Sequence, residues 1–321
     1  LDILEAGRKT LDVEIDALHR VKDALDGGFV DAVELIYSCK GRVVVTGMGK
    51  SGHIGKKIAA TFASTGTPAL FLHPAEGVHG DLGMIVKGDV VIALSNSGET
   101  KEILEILPVI KRFSIPLICI VGKTNSMLAK KSDCVLDASV EKEACPLNLA
   151  PTASTTAALA VGDALAVALL EKRGFKKEDF AIFHPSGSLG KQLLLKVADI
   201  YNTGDALPVV KEGTPVSEAV FVISSKGFGC TVVIGENEKL VGILTDGDLR
   251  RGMEKHRDRV FSMKVEELCT KSPKTIADDA LAAKALSIME TFSITSLLTV
   301  DQDGKATGII HLHDLLRAGL A

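Results

Sequence analysis

Five short, almost wholly apolar runs separated by helical segments constrain this chain more than any other feature. They fall at 42–46, 69–72, 89–94, 116–121 and 134–136. Runs that are apolar throughout, rather than alternately, belong to strands buried on both faces. Helix-patterned segments at 50–64, 101–113 and 125–130 lie between them. Strands alternating with helices predict a parallel sheet with right-handed crossovers, hence an α/β domain. A long apolar helix is expected near 153–173. Residues 1–38 read as two more helices, with Leu4, Leu11, Ile15 and Leu18 on one stripe.

From about residue 205 the grammar changes. An extended segment at 209–215 leads into a helix, a strand at 231–234 and then Gly242-Ile243-Leu244-Thr245-Asp246-Gly247-Asp248-Leu249-Arg250-Arg251. The order recurs through 274–277, a helix, a strand at 296–300 and Gly308-Ile309-Ile310-His311-Leu312-His313-Asp314-Leu315-Leu316-Arg317. A repeat of this kind implies two similar units that bury their faces against each other. The expected domains are therefore 1–200, 205–262 and 263–321.

With 321 residues, 46% of them apolar, there is ample material for several cores. A net charge of −4, no Trp and two Tyr argue against a nucleic-acid partner, which calls for a basic face or stacking platforms. Cys39, Cys119, Cys134, Cys145, Cys230 and Cys269 form no C-x-x-C pair and read as small hydrophobes in a reducing compartment. The most apolar stretch, 157–170, is broken by Gly162 and Asp163, so it reads as a buried helix and not a membrane span. No signal-peptide pattern precedes the first helical segment, and a cytoplasmic protein is expected.

In an open parallel sheet, ligands bind beyond the carboxyl ends of the strands. Two loops leave strands at that edge: Gly47-Met48-Gly49-Lys50-Ser51-Gly52 and Ser95-Asn96-Ser97-Gly98-Glu99-Thr100. Their small residues admit an anion close to the backbone, their hydroxyls add donors, and the helix that follows offers free N–H groups. The spacing fits neither a dinucleotide fingerprint nor a P-loop. Two serines and a threonine within six residues, ending where a helix begins, outline a cradle for a phosphomonoester.

The first domain resembles a sugar isomerase (SIS) domain, a flavodoxin-like fold with a five-stranded parallel sheet. The repeat resembles a tandem pair of CBS modules. The segments GMGKSGHIG, ATFASTGTP, HGDLGM, SNSGET, KEACPLNLAPT, FHPSGSLG and TDGDLRR make the whole chain similar to the arabinose-5-phosphate isomerases. Members of that family interconvert D-ribulose 5-phosphate and D-arabinose 5-phosphate for synthesis of the lipopolysaccharide sugar Kdo.

Such a reaction moves a proton between C2 and C1 through an enediol(ate). It needs a base over those carbons and a cation or donor near the developing oxyanion. The aldose closes a furanose through O4, so a group for ring opening is also required. The resemblance assigns Glu143 as the proton-shuttling base and His184 to ring opening. It places Lys50 at the charge of the enediolate or phosphate, and Glu102 as an orienting group or second acid. Ser95, Ser97 and Thr100 would grip the phosphate, with Ser51, Gly66, Thr67, His73 and His79 completing the sugar site. No cofactor is required. His73 matches a zinc-binding position in relatives, with His53 and His79 nearby; zinc there is expected to be inhibitory or incidental.

In CBS pairs, Thr serves phosphate and Asp serves ribose hydroxyls. Thr245 and Asp248 keep that pattern, whereas the second unit has His311 beside Asp314. A regulatory nucleotide or nucleotide sugar is the expected partner there. The resemblance implies a homotetramer. The alternatives are a sugar-phosphate sensor without turnover and a SIS isomerase of another sugar phosphate.

Overall fold

The computed structural model describes residues 2–320; Leu1 and Ala321, the outer ends of the expected domains, lie outside the described residues. The chain divides into two compact units, 1–183 and 184–321.

The first unit opens with α1 (Ile3–Ala24) and α2 (Gly27–Ser38). It continues through β1 (Val43–Gly47), α3 (Gly49–Ser64), β2 (Ala69–Leu72), α4 (Pro74–Val78), β3 (Val90–Ser95), α5 (Lys101–Arg112), β4 (Leu117–Val121), α6 (Met127–Lys131) and β5 (Cys134–Asp137). It ends with α7 (Ala153–Arg173) and α8 (Lys177–Phe183). The five strands form one parallel sheet in the order β2-β1-β3-β4-β5, as the apolar runs require. The order reverses between β1 and β3, and that switch point is where the two small-residue loops emerge.

Alternate residues of each strand serve opposite cores. Val43, Val45, Val90, Ile92 and Leu94 pack with α2, α3 and α7 on one face. Val44, Val91, Ala93, Leu117 and Cys119 pack with α5 and α6 on the other. This is why the runs are apolar without alternation. The helix α7 is long and apolar enough to cross a membrane. Here Ala153, Ala157, Val161, Leu165, Ala166 and Leu169 lie fully buried in the core of the unit. At Gly162, a Cβ would meet Ile58 Cδ1 at 2.3 Å, so glycine is what lets α7 approach α3.

Of the apolar stripe on α1, only Leu18 is half-buried. Leu4, Leu11 and Ile15 are exposed, and α1 packs through Ala17 and Val21 instead. Those two occupy a neighbouring face of the helix, and small or β-branched side chains there permit close packing against α7.

The second unit holds α9 (Ser188–Leu194), β6 (Asn202–Thr203), β7 (Val209–Lys211), α10 (Val216–Lys226), β8 (Cys230–Ile234), β9 (Leu240–Thr245), α11 (Asp246–His256) and α12 (Val265–Leu268). Then come β10 (Thr270–Lys271), α13 (Ala282–Phe292), β11 (Ser296–Val300), β12 (Ala306–His311) and α14 (Leu312–Arg317). Its sheets run β10-β9-β8-β7 and β11-β12-β6. Each repeat contributes an antiparallel pair, β8 with β9 and β11 with β12. The short strands are exchanged: β6 precedes the first repeat yet pairs with β12, and β10 leads into the second yet pairs with β9. Cys230, Val232, Ile243, Leu298 and Ile309 form a core shared by both sheets, the mutual burial that the repeat implies.

Candidate active site

A cleft of about 520 Å³ lies over the carboxyl ends of the first unit's strands. That volume suits a small ligand, since such sites span about 300–1,000 Å³. Lys50, Ser51, Ser95, Ser97, Thr100 and Glu143 all line it.

The first wall is the turn from β1 into α3. A Cβ at Gly52 would meet Gly47 O at 2.6 Å, and one at Gly47 would meet Ser51 O at 2.9 Å. Glycine at both positions closes the turn tightly enough to bring the start of α3 to the sheet edge. Met48, the N-cap of α3, supplies no side-chain cap. Lys50 and Ser51 sit in the first helical turn, where free N–H groups favour an anion.

The second wall is the loop from β3 into α5. Ser95 is buried, and its Oγ accepts the Gly98 N–H at 3.0 Å and lies 2.7 Å from Thr100 Oγ1. Ser97 Oγ accepts the Glu99 N–H at 3.2 Å. Gly98 has φ +66°, and a Cβ there would meet Ser126 Oγ at 1.9 Å. Two hydrogen bonds strap this loop to α6: Met127 N–H to Glu99 Oε1 at 2.8 Å, and Leu128 N–H to Gly98 O at 3.1 Å. Thr100 is the N-cap of α5 and makes no side-chain cap bond.

The third wall is the 138–152 segment between β5 and α7. Glu143 Oε2 accepts the N–H of Thr152 at 2.8 Å, the hydroxyl of Thr152 at 3.1 Å and the N–H of Ser154 at 3.2 Å. Glu143 thus caps α7 from nine residues upstream. Burial pushes its carboxyl up, but the hydroxyls and N–H groups of Ser154 and Thr152 outweigh burial and hold it below the usual carboxylate range. It is ionised at neutral pH, as a base must be. Ser154 is itself buried and lines the cleft beside this carboxylate.

Other expected residues are not gathered into this cleft. Glu102 stands in the first turn of α5 but does not line it. Gly66 and Thr67 precede β2 at the opposite, amino-terminal edge of the sheet. There the Val43 N–H bonds Pro68 O, and Thr67 Oγ1 is buried without a partner. His73 follows the edge strand β2 as the N-cap of α4 with a buried, unpartnered Nδ1, and His79 is exposed after α4. Among the described residues no three His, Cys, Asp or Glu side chains converge as a metal site, so His53, His73 and His79 do not form one within a single chain. His184 begins the second unit.

Asn96, Lys142, Asn148, Ser154 and Thr155 also line the cleft, and sequence reading did not single them out. The signal available was Thr152-Ala153-Ser154-Thr155 ahead of an apolar helix, an N-terminal signature.

In the second unit a cleft of about 910 Å³ has walls from both repeats. Thr245, Arg250, Arg251, Lys274, His311 and His313 are among its lining residues. The expected ribose contact at Asp248 is not presented to it. That buried carboxylate takes the Thr245 N–H and hydroxyl, the Arg251 guanidinium at 2.6 Å and the Thr270 hydroxyl. His311 takes over the capping role of the threonine it replaces. Its Nδ1 accepts the His313 N–H while Asp314 accepts the His311 N–H. The imidazole proton therefore sits on Nε2. Burial, then His313, holds its pKa below the usual histidine value.

Comparison with known proteins agrees with this layout. The SIS domain family matches residues 35–168, and the CBS domain family matches 197–255 and 265–321. The arabinose 5-phosphate isomerase KdsD of Pseudomonas aeruginosa is 53% identical, covering 100% of this chain and 98% of that protein. The Escherichia coli K12 protein of the same name is 49% identical, over 99% of this chain and 97% of its own. A solved structure of an E. coli CFT073 protein, c3406, in complex with arabinose 5-phosphate is 46% identical with a TM-score of 0.56, covering 57% of this chain and 98% of that one. With a SIS domain, two CBS domains and full-length similarity of this degree, the chain belongs to the arabinose 5-phosphate isomerase family.

Proposed function

We propose that this isomerase converts D-arabinose 5-phosphate to D-ribulose 5-phosphate, and the reverse, with Glu143 as the base. The observation that carries the reading is the ionised Glu143 carboxylate in one cleft with Lys50 and the Ser95–Thr100 loop. The phosphate is held by that loop and the start of α5. Glu143 takes the C2 proton of the open aldose, the electron pair forms the C1–C2 enediolate, and the proton returns at C1. The hydroxyl proton on O2 passes to O1. Lys50 stabilises negative charge on the enediolate or phosphate.

Family resemblance assigns His184 to furanose opening and Glu102 to orientation or secondary acid catalysis. It also assigns Gly66, Thr67, His73 and His79 to the sugar site, and in a homotetramer His184 would reach a neighbour's cleft. This chemistry needs no metal, and zinc at His73 would act as an inhibitor. Six unpaired thiols suit a reducing cytoplasm, where the product would enter Kdo and lipopolysaccharide synthesis.

The cationic lining of the CBS cleft favours an acidic regulator, a nucleotide or nucleotide sugar. Calorimetric titration with adenine nucleotides and the cytidylylated Kdo product tests this; no heat with any of them defeats it.

The activity is tested by following ketose formation from arabinose 5-phosphate, with ribose 5-phosphate and glucosamine 6-phosphate as controls. Turnover of the arabinose sugar alone is expected. A sensor would bind it without turnover, and an isomerase of another sugar would prefer a control. In Glu143→Gln, exchange of the C2 proton with solvent is expected to vanish while substrate still binds. Undiminished exchange removes Glu143 as the base.

A further inference from the structure

Glu143 is held in an unusual way for a base. The buried Ser154 hydroxyl stands beside the carboxylate without closing a hydrogen bond to it; the three bonds that do close all fall on one oxygen, Oε2, and two of the three come from Thr152. The direction of the Thr152 hydroxyl is itself fixed. Its Oγ1 accepts the Ala144 N–H at 2.9 Å, so its single proton is turned toward the carboxylate. Ala144 adjoins Glu143, so the chain closes a small ring: Ala144 N–H to Thr152 O–H to Glu143 Oε2.

A second bond fixes the backbone of the base. Glu143 N–H donates to Asn148 Oδ1 at 2.8 Å, and Asn148 has a left-handed φ of +52°. The base is therefore fixed at its main chain and at one carboxylate oxygen. Oε1 stands outside this set of bonds.

We propose that Thr152 is a positioning residue for the isomerisation: its hydroxyl and N–H immobilise Oε2 of Glu143 and leave Oε1 as the oxygen that carries the proton between C2 and C1. The proposal rests on Glu143 being the base. Thr152 caps α7 without using its own side chain for the cap. A threonine at an N-cap ordinarily directs its hydroxyl to the N–H groups of the following turn. Here the carboxylate serves the helix, and the hydroxyl is freed to serve the carboxylate.

The division of the two oxygens has chemical consequences. A proton on Oε2 would have to displace donors already pointing at it, so protonation during turnover is confined to Oε1. A carboxylate with one free oxygen has one direction of attack. The same base must reach two adjacent carbons on one face of the sugar, and a rotating carboxylate would lose alignment between them. Misplacement of a reacting group by about 1 Å costs up to about a hundredfold in rate. The three donors also stabilise the charged form, which keeps the base ionised toward acid pH.

The test compares Thr152→Val, Thr152→Ser and Thr152→Ala in the full chain, by the pH profile of kcat/KM and by kcat and KM separately. Valine keeps the shape and deletes the hydroxyl. The acid limb of kcat/KM is expected to move to higher pH, and plateau kcat to fall by at least about tenfold with KM little changed. Thr152→Ser should restore both. Thr152→Ala removes the hydroxyl without adding a methyl in its place and serves where the valine variant fails to fold. A Val or Ala variant that loses rate with its acid limb unmoved, or a Ser variant that restores neither, overturns the proposal. An inactive Glu143→Gln beside an unshifted Thr152→Val sinks the role of Thr152 alone; an active Glu143→Gln sinks the base itself.

Discussion

The carboxylate of Glu99 accepts the backbone N–H of Met127 at 2.8 Å, tying the loop after β3 to the start of α6. A carboxylate in a loop proposed to hold a phosphate would ordinarily repel that ligand. Here its charge is engaged by an amide at a helix start, where negative charge is favoured.

Glu99→Ala should therefore loosen the loop. A lost cap costs about 1 kcal/mol, read as a lower midpoint in urea. KM for the sugar phosphate should rise several-fold with kcat nearly unchanged. Glu99→Gln retains an oxygen acceptor and should behave close to the parent. Equal KM in the alanine variant would show that the loop holds its shape without this bond.

The contact between α3 and α7 predicts a coupled pair. Gly162→Ala drives a methyl into the side chain of Ile58, which is fully buried. Overpacking of this kind costs about 1–3 kcal/mol. Ile58→Ala alone should cost about 2–5 kcal/mol. The double variant should lose less than the sum, since each change relieves the other. Strict additivity in chemical denaturation would contradict the packing described.

Asp248 makes the stability of the CBS pair depend on pH. Burial raises its pKa, but the bonds from Thr245 and Arg251 outweigh burial and hold it below the usual aspartate range. A carboxyl depressed in the folded state stabilises fully above its unfolded pKa and loses that contribution as pH falls through the folded value. The melting temperature should decline on acidification below the ordinary aspartate range. Asp248→Asn should melt lower at neutral pH and show a shallower acid decline. Parallel curves for the two proteins would rule this group out.

The thiols should react in a set order. Backbone N–H groups of Ala150, Leu149 and Leu147 draw the Cys145 thiol below its usual value. Burial pushes Cys119 and Cys230 up to about 11. At mildly alkaline pH, a thiol reagent counted by mass spectrometry should label Cys145 first and those two last. Labelling of Cys119 before Cys145 would contradict these environments.

Much of the fold was legible along the chain. The five apolar runs could only become strands buried on both sides, and the 66-residue repeat could only become paired units, because both patterns are local and periodic. The two small-residue loops at the sheet edge were likewise legible, since tight turns at glycine leave a direct trace in sequence. The stripe of Leu4, Leu11 and Ile15 looked equally clear, yet the helix buries Ala17 and Val21 instead. Periodicity says that a helix has an apolar face, not which surface it meets.

What the sequence determined by itself was the set of groups: a hydroxyl-rich loop at 95–100, a lysine at 50 and a carboxylate at 143, with glycines where the backbone must turn. What tertiary structure alone decided was how those groups are used. Glu143 caps α7 across nine residues, Glu99 is bonded to α6, Asp248 is bonded inward, and Gly66 and Thr67 fall at the far edge of the sheet. Each outcome depends on which donors the folded chain brings within hydrogen-bond reach, and residue type and spacing do not encode that distance.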